Sequence, residues 1–408
     1  MSSRYFFLSV FLVLTLNWSC ADLLTETPKD DEIFDAPLDG LSGAQMKAHI
    51  DGDEAFGEIF TAATGLGPVF NQPACVNCHP DEGRGHPSTN LIRFGKDRGD
   101  GTFDYMPELG GPQLQDRSIP GYPAEQLPLN VTGVSARGGP VVVGLGLVEA
   151  IPDAAILANE DPDDSDGDGI SGKANFVDAP DYLVPAAGRI SRSGRYLGRF
   201  GRKATAIDLL HQTVTAYKND MGITTDFDPV DVFNPILGNR VGDNAPDPEV
   251  SAETVQNVVI YLQTLRPPVR RNAGAPEILR GESLFSEIGC ANCHIPEFES
   301  GSSSIEAVSF KPVALYSDLL LHDMGPALAD GYPEGEATGT EWRTTPLWGL
   351  GIVENLLGGT PYYLHDGRTS SLTEVISLHG GEAEAAKLAY LALPDSDQKA
   401  LIAFLKSL

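Results

Sequence analysis

Two pentapeptides constrain this chain more than any other feature: Cys75-Val76-Asn77-Cys78-His79 and Cys290-Ala291-Asn292-Cys293-His294. They use four of its five cysteines, and the fifth, Cys20, stands alone near the start. Two thiols three positions apart can add across the two vinyl groups of one haem, and the histidine that follows then ligates the iron. A zinc site would have to gather four ligands from two distant segments and would leave both histidines accidental. A dithiol–disulfide pair has no need of the histidine. The spacing therefore predicts two haem c groups, bound covalently by Cys75, Cys78, Cys290 and Cys293, with His79 and His294 as axial iron ligands.

The flanking segments predict helices. Leu284, Phe285 and Ile288 share one helical face before the second motif, and Leu401, Phe404, Leu405 and Leu408 form the apolar stripe of a terminal helix beginning near Ser396. The first motif has a parallel lead-in over 49–60. A helical period in Val255, Val258, Val259 and Leu262 closes its domain before Pro267-Pro268. These patterns predict a mainly α chain of two cytochrome c-like domains, 41–266 and 281–408, joined by a linker over 267–280. The first carries a large loop-rich insertion.

Before these lies an address segment. Arg4 precedes an apolar run from Tyr5 to Leu16, long enough for a signal-peptide core and short of the ~20 residues that cross a bilayer. Ser19-Cys20 follows, with Leu16 displaced from the position usual at a lipoprotein processing site. We expect residues 1–20 to be a lipoprotein signal segment, Cys20 to be lipidated, and 21–40 to be a tether. The mature chain is expected in the periplasm or cell envelope, touching the membrane only through its anchor. A net charge of −29 argues against nucleic acid as a partner.

Beyond the haem motifs, the chain resembles the di-haem oxidoreductase, putative peroxidase family. The resemblance rests on Gly65-Leu66-Gly67-Pro68, Gly83-Arg84-Gly85, the stretch from Gly144 to Ile151, Gly198-Arg199-Phe200-Gly201 and Asp220-Met221-Gly222-Ile223-Thr224. In the second half it rests on the stretch from Ser317 to Gly325, Glu341-Trp342-Arg343-Thr344, the turn from Tyr363 to Arg368, and His379-Gly380-Gly381-Glu382-Ala383. The second domain is also similar to bacterial di-haem cytochrome c peroxidases. That likeness implies a second axial ligand at His379, where those enzymes commonly have methionine, with Met324 as the alternative. It also implies Arg343 as a propionate partner, with Trp342 or Trp348 between the haems.

Other residues are read from local context. Asp164, Asp166, Asp168, Ile170 and Asn175 have calcium-loop spacing, with Asn175 where glutamate is usual. Glu149, among apolar neighbours, is the candidate for moving protons. For the first haem, His49, His211 and Met221 are candidate sixth ligands beside an open site, whereas His322 and His365 read as structural. The basic run Arg189, Arg192, Arg195, Arg199, Arg202 and Lys203 is a second candidate for the propionates. The expected function is an exported di-haem oxidoreductase that reduces hydrogen peroxide at one haem with electrons relayed by the other. A small donor protein or a quinol-linked donor would supply them. The alternatives are an electron-transfer lipoprotein without a substrate, and a di-haem oxidant of a protein or organic partner.

Overall fold

The computed structural model describes residues 34–237 and 245–408. Cys20, the leader and most of the tether lie outside the described residues. The helices that frame the two motifs are α1 (Gly43–Gly57), α2 (Leu209–Met221), α3 (Ala252–Thr264), α4 (Pro276–Glu287), α5 (Leu372–Leu378) and α6 (Asp395–Leu405). Two of the pairings among them repeat one design: α1 crosses α3, and α4 crosses α6.

A glycine sets each crossing. A Cβ on Gly52 would lie 2.1 Å from the Asn257 carbonyl oxygen, and one on Gly281 would lie 2.1 Å from that of Ala400. Only a residue without a side chain lets the backbones approach so closely. Four residues further along each lead-in helix stands a phenylalanine. Phe56 lies 6.2 Å from the His79 ring and 5.6 Å from Tyr261, and Phe285 lies 6.3 Å from the His294 ring and 5.2 Å from Phe404. Each haem motif thus leaves its lead-in helix against an aromatic pair fixed by the crossing.

The apolar periods show why the partner helices form. Val255, Val258, Val259 and Leu262 are buried along α3, and Leu401, Phe404 and Leu405 along α6, with Leu408 just beyond. At ~25 cal/mol per Å² of apolar surface, such stripes supply most of the helices' stability. The helix starts differ from expectation. Ser42 and Gln45 form a reciprocal capping box that begins α1 at Gly43. Pro276 at the first position of α4 places the end of the expected linker inside the helix. Pro394 precedes α6 without a side-chain cap.

The mainly α expectation is met only in part. The structure is 32% helical, and several small sheets accompany the helices. In the insertion, β1 (Leu91–Asp97) pairs antiparallel with β2 (Gly133–Arg137) along five residues, and the short strands Phe103–Asp104 and Gln113–Leu114 also pair with β1. In the second half, β3 (Leu321–Asp323) pairs with β4 (Glu341–Arg343). Most strands are two or three residues long, too short for an alternating pattern to register in the sequence. Among the described residues no helix is long and apolar enough to cross a membrane.

The two halves are tied by backbone. Arg84 donates to the Leu364 carbonyl, Gly138 N–H to that of His365 at 2.8 Å, and the Asn90 amide to that of Asp366 at 2.8 Å. The turn 363–368 therefore docks on the loop that follows the first haem motif.

Candidate functional site

Both motif histidines are held the same way. His79 Nδ1 lies 2.8 Å from the Pro140 carbonyl oxygen and His294 Nδ1 lies 2.8 Å from that of Tyr316. A ring that donates Nδ1–H to a carbonyl presents Nε2 as its lone-pair nitrogen, the arrangement that orients a metal-bound imidazole. Burial lowers both rings to about 4, so they stay neutral. His379, which caps α5, repeats the pattern with Nδ1 2.7 Å from the Val375 carbonyl oxygen, and burial lowers its pKa as well. It stands close enough to His294 to depress that ring's basicity further. The second motif thus has two imidazoles wired for metal.

The thiols agree with this reading. Burial pushes Cys75, Cys78 and Cys290 up to about 12, which leaves them protonated and poor partners for disulfide exchange.

A cavity of about 290 Å³ opens at the first motif. Cys75, Cys78, His79 and Phe56 line one part, α2 another, and Arg343, Trp348 and Tyr363 of the second half a third. Among the described residues its single acidic side chain is Asp220, at the end of α2. One Asp220 oxygen accepts from the Gln113 amide at 2.8 Å, and burial raises its pKa to about 6. Thr213 and Tyr217 also line the cavity, and their buried hydroxyls have no hydrogen-bond partner among the described residues. Four residues apart, they share one face of α2.

His211 lines the same cavity but is wired the other way. Its Nδ1 accepts from the Ile207 N–H at 3.4 Å, which places the neutral ring's proton on Nε2. It is therefore held differently from the motif histidines, with Nδ1 as acceptor. Met221 lines the cavity as well. His49 lies outside the lining, between Thr264 at 2.8 Å and the Tyr261 ring at 4.9 Å.

Guanidinium groups gather where the halves meet. Arg84, Arg137, Arg202 and Arg343 all line the cavity. Arg202 gives Nε and Nη2 to the Gly138 carbonyl and is held well below its usual pKa by burial, then by Arg84, Arg343 and Arg137. Arg137 pairs with Glu334 and lies near Asp330, Asp366 opposes the charge at Arg84 and Arg202, and Asp318 that at Arg343. Buried guanidinium groups that lower one another's pKa would be stabilised by an added anion.

The rest of the expected basic run is already paired. Arg199 is fully buried and donates to the Val148, Glu149 and Ile151 carbonyls and to Asp153. Arg189 pairs with Asp153, Arg192 with Glu160, Arg195 with Glu336 and Lys203 with Asp330. Glu149 accepts from Leu209 N–H at 2.8 Å and from the Gln263 amide, so it anchors the start of α2 and is not part of the cavity wall. Burial raises its pKa. Trp342 stacks on His365 with ring centres 3.8 Å apart and donates to the Leu328 carbonyl at 2.9 Å.

At the expected calcium loop, the side chain of the last position is hydrogen-bonded elsewhere. Asp164, Asp166 and Asp168 bring carboxylate oxygens within 4.8 Å of one another, but they already accept backbone N–H groups of the same turn. Asn175 is buried elsewhere. Its amide donates to the Lys203 and Glu334 carbonyls and its oxygen accepts from Glu336 N–H, so the side chain is committed to that network.

The residues fit haem: paired thiols, prepared imidazoles, orphaned hydroxyls and a group of buried guanidiniums. Sequence reasoning missed Asp220, Arg84 and Arg137, because only the fold brings them to His79. Their place in stretches such as Gly83-Arg84-Gly85 was the available signal.

Comparison with known proteins gives the following. Residues 130–408 match the family described as di-haem oxidoreductase, putative peroxidase. Among curated proteins, none matches the chain. Solved structures similar to it include hydrazine synthase of Kuenenia stuttgartiensis, at 14% identity and a TM-score of 0.36, covering 94% of this chain and 97% of that one. A MauG-like protein associated with microbial copper homeostasis aligns at 14% identity and a TM-score of 0.39, covering 94% and 95%.

Proposed function

On the premise that the chain belongs to the di-haem oxidoreductase, putative peroxidase family, we propose that it reduces hydrogen peroxide at the haem of the first motif, with the haem of the second as electron relay. One observation carries this assignment: the histidine wiring is asymmetric. His379 is prepared in the same way as His294 and lies near it, whereas among the described residues the cavity at His79 offers one further imidazole, His211, whose Nδ1 is occupied as an acceptor. A six-coordinate iron relays electrons, and an iron with a free position binds a small oxidant.

Haem supplies the redox change; the chain supplies position and protons. Reducing hydrogen peroxide to two waters takes two electrons, from an external donor protein or quinol-linked donor, and two protons. Asp220 is the acid in the cavity, held in place by Gln113. His211 Nε2–H and the Thr213 and Tyr217 hydroxyls offer hydrogen bonds to a small polar guest. Arg84, Arg202 and Arg343 would hold the haem carboxylates between the two halves. Phe56 and the apolar wall of Leu145, Val148 and Leu262 exclude water.

The test is electron paramagnetic resonance of the oxidised or half-reduced holoprotein. A high-spin signal lost on peroxide addition, beside a low-spin signal, is the expected result, together with steady peroxide consumption by a reduced donor. Two low-spin haems inert to peroxide in every redox state would point to pure electron transfer.

Export and lipid attachment at Cys20 are likewise proposed, on the leader pattern alone. Cys20→Ser should release the holoprotein from the membrane fraction. Retention there would remove the anchor from the account.

A further inference from the structure

Behind the second motif, His322 is 3% exposed and has a carboxylate on each ring nitrogen. Nε2 lies 2.8 Å from Asp318 Oδ2 and Nδ1 lies 2.7 Å from Glu382 Oε2. Carboxylates only accept, so the ring carries both protons and is a buried cation. Its pKa is raised to about 12; burial opposes that rise, and the bonds to Asp318, Cys293 and Glu382 produce it.

The two carboxylates belong to opposite sides of the site. On one side, Asp318 N–H donates to the Cys293 carbonyl at 2.9 Å, and two residues earlier Tyr316 supplies the carbonyl that orients His294. On the other, Glu382 lies three residues beyond His379. Besides His322, it accepts from Asp323 N–H at 2.9 Å and from both the N–H and hydroxyl of Ser171 at 3.0 Å. The turn after His379 also lies directly against the end of β3. A Cβ on Gly381 would lie 2.2 Å from the Asp323 carbonyl oxygen, and one on Gly325 would lie 2.8 Å from Gly381 N. His322 Nδ1 itself is 3.8 Å from Cys293 Sγ.

We propose that His322 is a positioning residue for the second haem, its imidazolium clamping Asp318 on the His294 side to Glu382 on the His379 side and placing a positive charge beside Cys293. This deepens the functional reading above and rests on His379 being the second ligand there. The clamp has two effects. It fixes the separation of the two imidazoles, and its cation offsets one of the two carboxylate charges beside it, so removing the cation favours the oxidised iron and removing one carboxylate the reduced iron. Ser171 extends the clamp to the insertion of the first half.

The experiment measures the reduction potential and low-spin resonance of the second haem in holoprotein carrying His322→Gln, Glu382→Gln or Ser171→Ala. His322→Gln removes the cation and should lower that potential. Glu382→Gln removes an anion of similar shape and should raise it. Opposite shifts, with the first haem's potential unmoved, are the expected result; a purely structural role would not produce opposite signs. Ser171→Ala, at the partly exposed end of the network, should move the low-spin g-values slightly and serves if a buried variant fails to fold. Shifts of the same sign in the two charge variants overturn the clamp, as do unchanged potentials and g-values in folded, fully loaded protein. His379→Ala separates the two readings. If the second haem stays low-spin in that variant, His379 is not its ligand. If it turns high-spin while the clamp variants change nothing, the clamp alone fails.

Discussion

Asp220→Asn is expected to slow hydrogen peroxide reduction by ~10²–10⁴-fold, the usual contribution of a positioned proton donor, while both haems remain attached. The amide keeps the shape and can still meet Gln113, but it has no proton to give. Among the described residues, Asp220 is the one acidic side chain in the lining of the cavity at His79. Burial, partly offset by the Gln113 bond, raises it to about 6. An acid must be protonated to donate, so turnover should fall as pH rises through that value, and the variant should lose this limb. Single-turnover kinetics with the reduced holoprotein checks both. An unchanged rate in the variant would move the proton to His211 or to water.

Cys290→Ser combined with Cys293→Ser should abolish steady peroxide turnover and weaken the second half of the chain. Without covalent attachment, His294 and His379 remain two half-buried, neutral imidazoles with nothing fixing a haem beside them. On this reading the cluster that includes Phe285, Tyr316, Tyr363, Leu401 and Phe404 loses the haem that would pack against it, and such voids are expensive because protein interiors are close-packed. With the relay gone, the first haem would still react with peroxide once but would not be reduced again at the normal rate. Stopped-flow measurements should therefore show a single turnover without a steady state, and differential scanning calorimetry should show a lower transition for the second half. Full turnover in this double variant would mean that the second haem is not on the electron path.

Legibility in the sequence followed the range of the interactions. The stripes of α3 and α6 were readable because burial repeats every 3.6 residues along one segment. The haem motifs were readable because their chemistry is contained in five consecutive residues. The strands of the insertion were missed, since two or three residues cannot display a period. Glu149 has apolar neighbours in the sequence, and nothing local announces Leu209 N–H or the Gln263 amide that occupy its carboxylate. Asn175 occupies the twelfth position of a plausible loop, yet the fold spends its amide on Lys203, Glu334 and Glu336. Asp220 and the arginine group depend on contacts between segments far apart in the chain. His322 was read as a buried structural histidine; its two carboxylate partners were visible only once Asp318 and Glu382 met across it.

The most direct test of the whole account is the intact mass of protein matured in a host that assembles c-type cytochromes. The account predicts a chain heavier by two haems, with one haem on the peptide carrying Cys75 and Cys78 and one on the peptide carrying Cys290 and Cys293. A mass without added haem, or with bound zinc or disulfides at those cysteines instead, would contradict it.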